Sequence, residues 1–373
     1  MTLGYADYLS RTRMPALDGM RAISVLLVIT VHVHIGNWNW AAGAKGVTIF
    51  FILSGYLITF LALREERETG ALNLSAFYIR RTFRIFPIYY LMVALYAVLV
   101  YVLHIRPDKA ANFTAVMPYL LTYLQEFAFF FGVNGATDNI PLYQSWSLGI
   151  EEKFYLVWPA LAFVLLQRLK TYRLPVCGAL AAFFASTPYF TTYSPVLFPY
   201  FHILVGCAIA LFLNDAHRYR LAQILALPSW AIAISVAFVA LHFISPLCTT
   251  WPFQGPIDVL YSLLGGVLLI VILLSSADKV LGGRVLVFIG RISYAIYLVQ
   301  VLCLNVSEAI IGKFAAILHP TVVAPLNYVL ACGLSILASW ILAVTVERPL
   351  IKMGHRISDH LRHMRKISEA VVH

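Results

Sequence analysis

The chain has 373 residues, 61% of them hydrophobic and 12% charged, with a mean hydropathy of +0.82 and a formal net charge of +10. Water-soluble domains carry about twice that charged fraction, so a soluble fold is excluded, and the apolar stretches lack the alternation of a membrane barrel. The positive charge is therefore read as loop charge on a polytopic helical membrane protein rather than as a nucleic-acid surface.

In chain order, eleven apolar segments are predicted, over 17–37, 45–63, 83–104, 115–133, 147–167, 174–191, 196–213, 229–246, 257–276, 285–305 and 325–346. Of the 27 Lys and Arg, 21 fall in the N-terminal region and in the connectors 64–84, 168–173, 217–220, 279–284 and 348–366. Lys45, Arg106, Lys109 and Lys313 fall in the intervening connectors, and Lys153 and Arg291 within segments. The positive-inside rule places the basic set in the cytoplasm. That alternation holds only if both ends of 115–133 are on the outer side, so this segment is expected to be re-entrant or interfacial. The expected fold is an all-α transmembrane bundle of about ten spans, in a cell (inner) membrane, with both termini cytoplasmic. A membrane domain over 1–350 would precede a basic tail over 351–373 that touches anionic lipid. The N-terminus, with Arg11 and Arg13 before an apolar run broken by Arg21 and His32, reads as an uncleaved first span. The five cysteines show no CxxC pairing and read as small buried residues, and no metal site is expected. No internal repeat supports an inverted-repeat transporter.

Five stretches carry polar groups that an apolar segment tolerates only with partners or a use. In Leu17-Asp18-Gly-Met-Arg21…His32, eleven helical steps bring Arg21 and His32 within about 20° on one face, about 16–17 Å apart along the axis. Histidine titrates near neutrality and is the usual general base. His34 lies two positions on and faces elsewhere. In Phe50-Phe-Ile-Leu-Ser54-Gly55, the small residues allow a helix or a ligand to approach closely, and packing is the simpler reading. In Arg80-Arg81-Thr-Phe-Arg84-Ile-Phe-Pro87, three clustered guanidiniums repel one another unless an anion is present, and their planar forks suit phosphate; positive-inside anchoring is the plainer alternative. In Trp146-Ser147-Leu-Gly-Ile-Glu151-Glu152-Lys153-Phe-Tyr155, adjacent carboxylates point about 100° apart, so that one faces a cavity and the other pairs with Lys153 or a neighbouring helix; helix capping competes with this. In Gly290-Arg291-Ile-Ser293-Tyr294, Tyr294, Tyr297 and Gln300 continue a polar stripe that should face the bundle interior, with structural hydrogen bonding the simpler reading.

Taken together, in this order and spacing, the five stretches resemble the acyltransferase-3 family of integral-membrane O-acyltransferases, which acylate surface polysaccharides, nodulation factors, peptidoglycan and macrolides. The resemblance covers most of the chain and implies the stand-alone form without a fused esterase-like domain. Two positions depart from the family's usual pattern. Lys153 stands where Gln commonly follows the paired glutamates, and Gln300 where His often ends the stripe; the latter favours His32 as the base. The implied reaction moves an acyl group, acetyl above all, from acyl-CoA to a hydroxyl of a carbohydrate, or of a macrolide or other small metabolite. Arg81 and Arg84, with Arg80, would hold the donor's phosphates, and Arg21 would act on the donor's side. His32 would deprotonate the acceptor or carry the acyl group transiently, and Glu151 or Glu152 would orient the histidine or the acceptor. Asp18, Ser54, Gly55, Ser147, Tyr155, Ser293 and Tyr294 would support them. A lipid or glycan transporter without acyl chemistry is the rival in another class, and it would need no coenzyme A.

Overall fold

The computed structural model describes residues 3–105, 107–133, 140–248, 254–314 and 319–372, the side chains of 254, 320 and 362–372 excepted. Arg106 and the side chains of Arg362, His363, Arg365 and Lys366 thus lie outside the described residues. Among the described residues the fold is all-helical. Fourteen helices organise it: α1 Pro15–Val31, α2 Lys45–Thr69, α3 Leu74–Ala97, α4 Ala110–Leu121, α5 Gln125–Phe131, α6 Trp146–Ala160, α7 Arg173–Ser186, α8 Pro199–Leu213, α9 Pro228–Ile244, α10 Gln254–Leu274, α11 Arg284–Arg291, α12 Ser293–Phe314, α13 Pro320–Leu342 and α14 Arg348–Val372. Shorter turns connect them.

Seven stretches among the described residues are long and apolar enough to cross a bilayer: Asn39–Thr69, Leu74–Val102, Ser194–Leu213, Pro228–Leu247, Gly255–Leu274, Ser293–Phe314 and Thr321–Leu361. They make this a multi-pass membrane protein. The other four predicted segments differ for visible reasons. Pro15–Val31 is one turn shorter than predicted: it stops at Val31, and His32 caps it at φ −100°, ψ −2°. The 115–133 segment is broken into α4 and α5, of 12 and 7 residues, where a single crossing needs about 20. Helix α6 carries Glu151, Glu152 and Lys153, and α7 has 14 residues. The 285–305 prediction is displaced: Ile292 breaks the helix, and the long apolar element begins at Ser293 and runs to Phe314.

The chain forms two compact units, Met1–Arg64 with Arg168–Ile336, and Glu65–Gln167 with Leu337–His373. In the first, close-packed glycines set the helix crossings. A Cβ at Gly55 of α2 would meet the Ile203 carbonyl of α8, with its carbon only 2.8 Å away, and one at Gly206 of α8 would lie 2.9 Å from the Ile52 carbonyl carbon of α2. Each helix presents bare backbone to the other, as small-residue membrane crossings do. Likewise Gly290 of α11 leaves room for Asp18 of α1, whose Cα would be 3.0 Å from an added Cβ, and Gly19 of α1 leaves room for Leu281.

In the second unit, α3 opens on an Asn73 cap whose side chain accepts from the Ala76 amide at 3.0 Å. That is the cap that polar residues supply to orphan amides. Tyr78 donates to the Leu156 carbonyl at 2.7 Å, tying α3 to α6. Helix α14 packs on α3 where Gly354 leaves space for Phe83.

Candidate functional site

In the first unit, α1 carries Arg21 as its seventh residue and His32 at its end. Both are half-buried. The His32 Nδ1 is 3.3 Å from the Val28 carbonyl oxygen. A carbonyl only accepts, so Nδ1 carries the proton and Nε2 the lone pair. The histidine is thus oriented by its own helix, with Nε2 as the basic nitrogen. His34 does face elsewhere: it is largely exposed and contacts Glu308 of α12 at 3.2 Å.

The two motifs at Asp18 and Arg291 meet in space. The Arg291 Nε lies 3.4 Å from the Asp18 Oδ2, and the Gly290–Asp18 backbone approach brings them there. Asp18 therefore supports α1 through α11. Ser54 and Ser293 are buried and Tyr294 is half-buried. Gly55 serves the α2–α8 crossing, the packing alternative of the sequence reading. Along the polar stripe, Tyr297 packs edge-on against Phe50 of α2 at 6.4 Å between ring centres, and Gln300 is 1% exposed.

A second polar cluster in this unit was not expected. Lys45 of α2 is ion-paired with Asp258 of α10 and lies over the Tyr261 ring. Ser262 meets the His202 Nδ1 at 2.6 Å, and the Tyr261 hydroxyl meets the His242 Nδ1 at 2.9 Å. The one signal in the sequence was a lone Asp258 at the mouth of an apolar segment, which calls for a partner.

The second unit carries the arginines and the acids. Arg80 is engaged on both arms, by Glu65 at 2.8 Å and by Ser358 of α14 at 2.8 Å. Arg81 stacks on the Tyr155 ring, 4.5 Å from its centre, with Phe77 at 5.9 Å. Such a contact contributes about 0.5–2 kcal/mol. Glu152 lies in the field of Arg81, and Glu347 in that of Arg84. The counter-charge that the cluster calls for is thus supplied at Arg80 by Glu65 of this chain. Arg80 in particular reads as a tie between helices rather than a donor contact.

Lys153 also departs from expectation. It pairs with neither Glu151 nor Glu152 but with Glu126 of α5, which is fully buried, and it donates to the Tyr123 carbonyl at 2.6 Å. Gly149 makes the room, since a Cβ there would sit 3.2 Å from the Glu126 carboxyl carbon. The neighbour on the chain, Glu152, lies in the field of Arg81 first and of Lys153 after it. Ser147 is buried one turn before the acids, and Tyr155 is the platform under Arg81. Glu126 was legible as the single carboxylate inside an apolar run; its cost in hydrocarbon demands a cation.

Known proteins share this chain's pattern. OatA, a peptidoglycan O-acetyltransferase of Listeria monocytogenes, is 32% identical over 312 residues, covering 78% of this chain and 49% of that protein. A putative peptidoglycan O-acetyltransferase of Bacillus subtilis, YrhL, is 34% identical over 214 residues, 53% of this chain and 33% of its own. A putative O-acetyltransferase of Staphylococcus aureus is 36% identical over 181 residues, 45% and 28% respectively. The chain thus spans about half or less of the length of these relatives. No solved structure gives a significant match. Residues 14–344 match the model of the acyltransferase-3 family, an acyltransferase domain, and over that extent the chain belongs to the acyltransferase-3 family.

Proposed function

We propose that the protein is an integral-membrane O-acyltransferase that moves an acyl group, acetyl first among candidates, from a coenzyme A thioester to a hydroxyl of a carbohydrate acceptor. The observation that carries this reading is His32, whose Nδ1 is held by the Val28 carbonyl so that Nε2 is free to take a proton. Peptidoglycan O-acetylation, the activity for which OatA is named and the putative one of YrhL, supports a glycan acceptor. In the reaction the acceptor oxygen loses its proton to Nε2, the C–S bond of the donor breaks as the new C–O bond forms, and the thiolate leaves to be protonated. Arg21, on the same helix face, is assigned the donor's side. Arg81, seated over Tyr155, and Arg84 are assigned the donor's phosphates, with Glu151 and Glu152 serving the acceptor. Loop charge supports ten spans in a cell membrane, with 115–133 not crossing and both termini in the cytoplasm.

The test is acetyl-CoA turnover by the purified protein with a panel of peptidoglycan fragments, other glycans and macrolides, read by free thiol and by product mass. His32→Ala should abolish transfer while the protein stays folded. Full activity in that variant would remove His32 as the base, and turnover with macrolides alone would replace the carbohydrate acceptor.

A further inference from the structure

Helices α1 and α12 run side by side in the same direction. Just before α12 begins, Arg291 at the end of α11 meets Asp18 of α1 at 3.4 Å, and beyond the other end of α1 His34 meets Glu308 of α12 at 3.2 Å. Gln300 is seven residues past Ser293, the start of α12, and eight before Glu308, so it stands about half-way along that part of the helix. Arg21 lies on one side of that level and His32 on the other. At 1.5 Å per residue, Gln300 is roughly 10 Å along the axis from Ser293, the first residue of α12.

The Gln300 side chain is 1% exposed, and neither its amide nitrogen nor its amide oxygen has a hydrogen-bond partner among the described residues. Burying an amide unpaired is costly. The rest of its stripe is accounted for differently: Tyr297 packs on Phe50. A carboxamide offers two N–H donors and one acceptor. A secondary amide, with one N–H and one C=O, is its complement. A coenzyme A thioester carries two secondary amides in the flexible arm between its phosphates and its sulfur. An arm laid from Arg21 towards His32 passes the level of Gln300 before the sulfur reaches Nε2.

We infer that Gln300 is a donor-binding residue that hydrogen-bonds an amide of the coenzyme A arm, ahead of the reacting thioester. The inference rests on the acyl-CoA reading proposed above. It places the contact on the arm and not on the acyl group, so acetyl-CoA and free CoA should depend on it alike.

The experiment measures binding of acetyl-CoA and of CoA to the purified full chain in detergent, for wild type, Gln300→Leu and Gln300→Asn, together with each protein's thermal midpoint. Gln300→Leu should weaken both ligands about tenfold or more, about 1.4 kcal/mol, while the midpoint without ligand holds or rises. Gln300→Asn should also weaken both, because its amide is one methylene short. If wild type binds neither ligand, the acyl-CoA reading fails and the assignment with it. If wild type binds and Gln300→Leu binds equally well, Gln300 is not a donor contact. Weakening of acetyl-CoA alone would move the contact to the acyl group and overturn the assignment to the arm. A fall in midpoint with unchanged affinity would make Gln300 a packing residue.

Discussion

The crossing of α2 and α8 permits a sharp test, because both partners at the contact are backbone. A methyl added at Gly55 would lie 2.8 Å from the Ile203 carbonyl carbon, where carbon atoms settle at about 3.5–4.0 Å. The helices must part by about 1 Å, and no side-chain rotation relieves them. Overpacking of this kind costs about 1–3 kcal/mol, and the rigid partner puts Gly55→Ala in the upper part of that range. Helix propensity acts in the opposite direction, favouring Ala by about 1 kcal/mol. Gly178, inside α7 with nothing within 4 Å of its added Cβ, isolates that gain. Thermal unfolding in detergent should therefore lower the midpoint of Gly55→Ala and raise or preserve that of Gly178→Ala. Gly206→Ala opens the same crossing from the other side. The double variant Gly55→Ala with Gly206→Ala should accordingly cost less than the two singles together. A Gly55→Ala midpoint at or above that of Gly178→Ala would refute the crossing argument and return Gly55 to a ligand-approach role.

Two further outcomes concern charge. Lys153→Met strands the fully buried Glu126 and should cost about 3–5 kcal/mol; adding Glu126→Gln should recover at least half, and Lys153→Gln, the residue usual in the family, should fall between wild type and Lys153→Met. Chemical denaturation of the three variants checks this, and an unchanged Lys153→Met would show the pair to be idle. Arg80→Ala should cost about 1–3 kcal/mol by freeing Glu65 and Ser358 and leave donor affinity nearly intact, whereas Arg81→Ala should do the reverse. Measured side by side, these two variants separate the structural guanidinium from the binding one.

The sequence made the motifs legible but not their partners. Asp18-Gly19 and Gly290-Arg291 were each visible as polar or small groups in apolar runs, yet nothing local shows that Gly290 lies on the Asp18 backbone 272 residues away. The arginine cluster was found, and its need for negative charge was inferred; Glu65 and Glu347 were overlooked because they sit at helix ends that resemble loop and tail. Hydropathy identified the seven stretches rich in aliphatic side chains and blurred the polar ones. Pro15–Val31 falls short in length and Trp146–Ala160 carries Glu151, Glu152 and Lys153, and the charges on both are the candidate site. Boundaries failed where apolar composition continues through a break, as at Ile292, since a change of φ and ψ there leaves no mark on composition.

The Asp18–Arg291 tie has a consequence for the birth of the protein. Helix α1 is made well before α11, and the cation that meets Asp18 is added 273 residues later. At about 5–20 residues per second, that is a wait of roughly 14–55 s. Until then Asp18 lacks the cation that it meets in the finished fold, and chains terminated before α11 should be the ones that quality control removes.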